Sequence, residues 1–164
     1  MKYNPVYVLL RSIGLLLGGR AHFPKERVGE ILVREDGQKF TVFRHVVMAA
    51  GEDQRPVPDG VFRVWFSTKA TKSQTIRLSY FTVLGFLGMP GFRSKLWLYN
   101  EETGEFGGIY EWGTVEEAHH YDTSYAMKFS QWRSLPGKFR TDVFAQADSR
   151  SRVHRLQEAR VEAY

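Results

Sequence analysis

Apolar and polar positions recur along this chain with enough regularity to predict most of its elements. Residues 4–19, "NPVYVLLRSIGLLLGG", are strongly apolar, and Val6, Leu9, Leu10, Ile13, Leu16 and Leu17 form one stripe at helical spacing. In residues 28–48, "VGEILVREDGQKFTVFRHVVM", two β-branched runs flank Glu35-Asp36-Gly37-Gln38, which predicts a hairpin with Gly37 at a positive φ. Residues 49–60, with prolines, glycines and charges, read as a loop. Then follow a strand at 61–67 and a helix over 72–88. Ile76, Tyr80, Val83, Leu84 and Leu87 recur at helical spacing there, and Gly88 and Pro90 stop the helix. "FRSKLWLYN" and "FGGIYEW" predict two strands around an acidic turn at 101–104. Thr114 opens a helix with Glu116 and Glu117 in its first turn, which continues or restarts towards Trp132 and ends at Pro136-Gly137. A last strand covers 138–145, and Asp148 caps a final basic helix.

The order β-α-β-β-α-β over about 85 residues is the ferredoxin-like arrangement. The predicted class is therefore α+β, with residues 1–59 as an N-terminal extension of amphipathic helix plus hairpin. Residues 60–146 form the ferredoxin-like domain, and 147–164 a basic helix or tail. Alternation puts Phe92, Leu96, Leu98 and Ile109 on one sheet face. Arg93, Lys95, Trp97, Tyr99, Tyr110 and Trp112 fall on the other. Neither face suits water, and a second copy of the chain is expected over the ring-rich face, sheet against sheet.

Composition narrows the chemistry. The chain has 164 residues and no Cys, which removes disulfides, thiol catalysis and Cys-based zinc sites. That absence fits a reducing compartment, and a cytoplasmic location with a membrane-associated variant is the expectation. A net charge of +5 is modest and dispersed, and no dense basic run argues for nucleic acid. The apolar N-terminal stretch is shorter than the roughly 20 residues that span a bilayer, and Arg11 interrupts it. It lacks the basic start and small-residue cleavage site of a signal peptide. Residues 5–18 are thus open to three placements: on a membrane surface, on a partner subunit, or over their own domain.

The segment "PGFRSKLWLYNEETGEFGGIYEW" followed by "TVEEAHHYDTSYAMKF" resembles the YdhR-like branch of the dimeric α+β barrel superfamily. The shared pattern is Pro90-Gly91-Phe92, then Lys95 and Trp97, an acidic turn, and Gly107-Gly108-Ile109-Tyr110. The resemblance covers residues 61–145. It implies two ferredoxin-like subunits whose sheets close into a barrel, in a superfamily that oxidises polycyclic phenols without metal or flavin, degrades haem, or has no known activity. The family's late helical His is replaced here by Tyr125.

Taken with that resemblance, the residues predict a homodimer that binds a small hydrophobic or aromatic molecule and needs no cofactor and no metal. If catalytic, it resembles a cofactor-independent monooxygenase. The alternatives are a non-catalytic binding or assembly protein peripheral to a membrane, and a haem-binding or haem-degrading protein. Tyr80, Trp97 and Trp112 are the candidate ligand-binding residues, weighed against plain core or dimer packing. His119 and Tyr125 are the candidate catalytic residues. His119 and His120 point about 100° apart on a helix and cannot grip one metal together, and solvated histidines are the plainer reading. Trp97 across from Gly108 predicts that an indole fills the Gly107-Gly108 notch.

Overall fold

The computed structural model describes residues 2–49 and 57–146. The elements are α1 (Pro5–Leu17), β1 (Ala21–His22), β2 (Ile31–Val33), β3 (Lys39–Met48), β4 (Gly60–Thr68), α2 (Lys72–Thr82), β5 (Phe92–Tyr99), β6 (Phe106–Trp112), α3 (Val115–Asp122), α4 (Tyr125–Arg133) and β7 (Ser134–Ala145). The expected loop at 49–60 falls largely outside the described residues, as does the final helix.

All strand pairs are antiparallel, and the central order is β5-β6-β4-β7. That is the ferredoxin-like order for a βαββαβ unit, so the predicted α+β class holds. The N-terminal hairpin enlarges the same sheet: β3 pairs with β5, and both β1 and β2 pair with β3.

Local chemistry sets the helix ends. Asn4 caps α1 through its side chain, with Pro5 at the first helical position, where no N–H is needed. Thr71 with Gln74, and Thr114 with Glu117, close capping boxes on α2 and α3. The helix predicted over 72–88 is shorter. It ends at Thr82 and passes through a 3₁₀ turn at Val83–Gly85. The helix predicted from Thr114 is two helices, because Ser124 leaves helical geometry and caps α4. Pro136-Gly137 does not end a helix. It lies within β7, an edge strand, where a missing N–H is tolerated and Gly137 takes φ 71°.

Both sheet faces are covered within one chain. The ring-rich face, with Phe62, Trp97, Tyr110 and Trp112, packs under Phe86, Ala118, Tyr121 and Met127. On the opposite face Leu32, Phe40, Val42, Trp65, Leu96 and Leu98 form a second core. The β2–β3 turn folds over it. Arg34 lies 4.9 Å over the Phe40 ring and 4.8 Å over Trp65, while Glu35 pairs with Arg63 at 2.7 Å. A second copy was expected over the ring-rich face, which Phe86 and helices α3 and α4 of the same chain cover instead, so covering it does not require one. Strand parity holds except at Phe92. An irregularity between Phe92 and Ser94 sets Phe92 opposite Trp112, on the ring-rich face.

Most of the stripe predicted along α1 faces away from the domain, with Leu16 half-buried against the core. Val8 and Ser12 are buried instead, while Val6, Leu9, Leu10, Ile13 and Leu17 are exposed, Leu17 by 84%. Ser12 Oγ donates to the Leu84 carbonyl at 3.0 Å and accepts from the Gly88 N–H at 2.8 Å. Gly88 has no side chain to obstruct this approach: a Cβ there would overlap the Val8 carbonyl and lie 2.8 Å from Ser12 N.

Candidate functional site

A cavity of about 370 Å³ opens between the ring-rich face and helices α2 and α4. Its floor is the centre of the sheet: Val64, Lys95, Trp97, Gly108 and Tyr110. An irregularity in β3 between Val42 and Arg44 brings two neighbours to the helix side. Phe43 enters the cavity wall, and Arg44 Nη1 donates to Ser79 Oγ at 2.7 Å. The roof is mainly apolar, from Leu78, Met127 and the exposed rings Phe81 and Phe129.

Lys95 is the unusual group. Its Nζ lies 4.3 Å from the Tyr110 ring centre, 4.4 Å from Trp97 and 4.7 Å from Phe86. The rings' negative faces favour an ammonium by about 0.5–2 kcal/mol each at best. Desolvation, and then the nearby Arg44 charge, still pull the Lys95 pKa well below its ordinary value. No hydrogen-bond acceptor meets Nζ among the described residues, and the buried Trp97 Nε1 also lacks an acceptor.

Two phenols lie beside this amine. Tyr121 Oη donates to Tyr110 Oη at 3.1 Å, and burial raises both pKa values, Tyr121 the more so because Tyr110 is its neighbour. Both stay protonated at any physiological pH. Tyr125 lines the same space, but its hydroxyl donates to the Gly85 carbonyl at 2.9 Å, and burial raises its pKa too.

Of the five site residues predicted from sequence, the structure brings Trp97 and Tyr125 to the cavity wall. The other three are placed elsewhere. Tyr80 is 64% exposed on the outer side of α2, stacked 3.8 Å under the Arg44 guanidinium. Trp112 is buried in the core against Phe92 and Tyr121, beyond the end of the cavity. His119 lies on the exposed side of α3, and His120 stacks on Tyr3 at 4.7 Å. No histidine lines the cavity among the described residues, and none groups with carboxylates as a metal site.

The Gly107-Gly108 notch is also filled differently. Trp97 does stand opposite Gly108. Yet a Cβ at Gly108 would meet Tyr110 Cε2 at 3.0 Å, Val64 Cγ1 at 3.2 Å and Lys95 Cε at 3.4 Å, not the indole. Gly107 faces the other way, and there the Trp65 ring occupies the space. Lys95, Tyr110 and Tyr121 escaped sequence reasoning. The signal for Lys95 was its parity with Trp97 and Tyr110, a lone cation among rings.

No protein-family model and no curated protein matches the chain. Among solved structures, it is similar to LmHde, a heme-degrading enzyme from Listeria monocytogenes, with 13% identity and a TM-score of 0.49 over 76% of this chain and 96% of that one. A ferredoxin-fold protein related to antibiotic biosynthesis monooxygenases, also from Listeria monocytogenes, gives 12% identity and a TM-score of 0.49 over 81% and 86%. A monooxygenase-like protein from Listeria innocua gives 13% identity and a TM-score of 0.48 over 68% and 65%.

Proposed function

We propose that this chain binds a small, flat, mainly apolar molecule in the cavity between its sheet and helices α2 and α4. The observation that carries this reading is a ring-lined space of about 370 Å³ entered past exposed Phe81 and Phe129. The catalytic extension is a cofactor-independent monooxygenase. It rests on the YdhR-like pattern of Pro90-Gly91-Phe92, Lys95, Trp97 and Gly107-Gly108-Ile109-Tyr110. In such a reaction the substrate's own anion reacts with oxygen, and the protein orients it and excludes water. An anthrone methylene, for example, loses two hydrogens and gains one oxygen, and the second oxygen leaves as water. Oxygen-electrode measurements with dithranol, without added metal or flavin, test this extension. Uptake of one O₂ per quinone formed supports it, and a rate equal to the buffer's contradicts it.

Whether the cavity is occupied at all is a separate question, read by native mass spectrometry of the purified protein for a co-purifying small molecule. For haem, the cavity wall offers no histidine among the described residues, so added haem is expected to keep its free-haem Soret band, with no shifted and sharpened band of a ligated haem.

A second reading is favoured by α1, whose Val6, Leu10, Ile13 and Leu17 face solvent. Residues 1–25 carry Lys2, Arg11, Arg20 and Lys25 and no acidic side chain. An apolar helical face whose own segment carries cations and no acidic side chain suits an anionic membrane surface. No helix among the described residues is long and apolar enough to cross a membrane. Flotation with phosphatidylglycerol vesicles, lost in Leu10→Glu, supports this reading, and no flotation of the unaltered chain removes it. A homodimer also belongs to the proposal. With both sheet faces covered, a second copy would meet exposed side chains such as Phe81 and Trp132.

A further inference from the structure

The cavity wall is chemically lopsided. It presents the buried Lys95 amine, held among three rings at 4.3 to 4.7 Å. Arg44 stands 5.2 Å over the same Trp97 ring and hydrogen-bonds Ser79, another wall residue. Among the described residues, neither cation has a carboxylate within ion-pair distance. A further donor beside the amine, the Trp97 indole N–H, is buried with no acceptor. Elsewhere in the fold the buried arginines are matched: Arg63 by Glu35 and Asp142, Arg34 by Asp36 and Glu105. Among the described residues, the cavity wall carries the cations Lys95 and Arg133 and no carboxylate.

Burying an unpaired ammonium costs several kcal/mol, and a second cation nearby adds repulsion that the dry interior screens poorly. Packing does not require this arrangement, since a methionine would occupy the same space between the rings without the charge. A ligand that brings one negative oxygen and a flat ring system would remove both penalties. Its oxygen would meet the amine and its rings the apolar walls.

We propose that the ligand of this cavity is an aromatic oxyanion, a flat ring system bearing a carboxylate or ionised phenol, whose charged oxygen is held by Lys95 with Arg44 behind it. The inference rests on the cavity being a ligand site and names the charge of what enters. Lys95 is the residue that sets charge preference. Arg44 acts more weakly, because Ser79 and Tyr80 already hold its guanidinium.

Titration calorimetry of the full chain with naphthoate and its neutral isostere naphthamide tests this. Naphthoate is expected to bind at least tenfold more tightly. Lys95→Met should abolish that preference while leaving naphthamide affinity within about threefold, and Arg44→Gln should reduce it in part. A nitronaphthol, ionised at neutral pH, distinguishes the two sources of charge. Binding as tight as naphthoate's admits phenolates, and weaker binding selects carboxylates. Equal binding of naphthoate and naphthamide, or a preference that survives Lys95→Met, overturns the charge assignment and leaves the cavity reading intact. Failure of both probes to bind overturns the two together. Circular dichroism of Lys95→Met, expected to match the unaltered chain, guards against misreading an unfolded variant.

Discussion

Lys95 and Tyr110 stand directly opposite each other on β5 and β6, and the amine nitrogen lies 4.3 Å from the phenol ring centre. This pairing places a cation against a protonated phenol at the bottom of an apolar cavity. It follows from the β5–β6 register.

A first expectation concerns stability against pH. Burial lowers the Lys95 pKa, so the unfolded chain binds this proton more readily than the folded one. Stability should therefore be lower below the folded pKa, and should rise with pH towards the unfolded value near 10.5. Lys95→Met removes the penalty. It should melt higher than the unaltered chain at neutral pH, by on the order of 1 kcal/mol or more. That advantage should shrink as pH approaches 10.5, and thermal melts at several pH values measure both effects. A variant less stable at neutral pH would mean the cage favours the charge more than burial opposes it.

The second concerns the phenol pair. Tyr121→Phe leaves the Tyr110 oxygen without its donor, and Tyr110→Phe leaves the Tyr121 hydroxyl without its acceptor. Each single change should cost about 1–3 kcal/mol. The double change should cost clearly less than the sum, because it leaves neither group unmatched. Denaturant titration of the four proteins closes this cycle, and strict additivity would contradict the coupling.

The third concerns the two strand glycines. An alanine at Gly107 would overlap the Trp65 ring, which Phe40 at 4.8 Å and Arg34 hold in place. It should cost about 1–3 kcal/mol as overpacking. Gly108→Ala meets only side chains that can yield, at 3.0 Å and beyond, and should cost less. Trp65→Leu in the Gly107→Ala background should recover part of the loss. Melting temperatures in which Gly108 proves the more sensitive would reverse this assignment.

Sequence reasoning read the sheet better than the site, for a physical reason. Alternation and turn residues are local, so the Gly37 turn, the β5–β6 hairpin and the opposition of Trp97 to Gly108 were all legible. The hairpin's second role was not. The contacts of Arg34 with Trp65 and of Glu35 with Arg63 join residues about thirty apart, and no periodicity announces them. For α1, the apolar stripe left three placements open, and it did not show which face meets the domain. Ser12 is buried, because its hydroxyl satisfies Leu84 and Gly88. Tyr80 and His119 were singled out as chemically able side chains. Which side of a helix they occupy is fixed by how that helix meets the sheet, and α2 turns Tyr80 outward onto Arg44.

A fourth expectation follows for α1. Gly88→Ala would push a methyl into the Val8 carbonyl, and Ser12→Ala would leave the Gly88 N–H and Leu84 carbonyl unmatched. Each should cost about 1–3 kcal/mol and speed hydrogen exchange across Pro5–Leu17, with the β4–β6 amides unchanged. Uniform acceleration over the whole sheet would mean that α1 is integral to the core rather than docked on it.

The space above Lys95 and Trp97 is where a ligand is expected. Crystals soaked with a bromonaphthoate, measured at the bromine edge, locate the probe directly. The predicted result is one anomalous peak inside the cavity, with the carboxylate within hydrogen-bond reach of Lys95 Nζ. An empty cavity, with bromine only on the exposed face of α1 or at no ordered position, would contradict it.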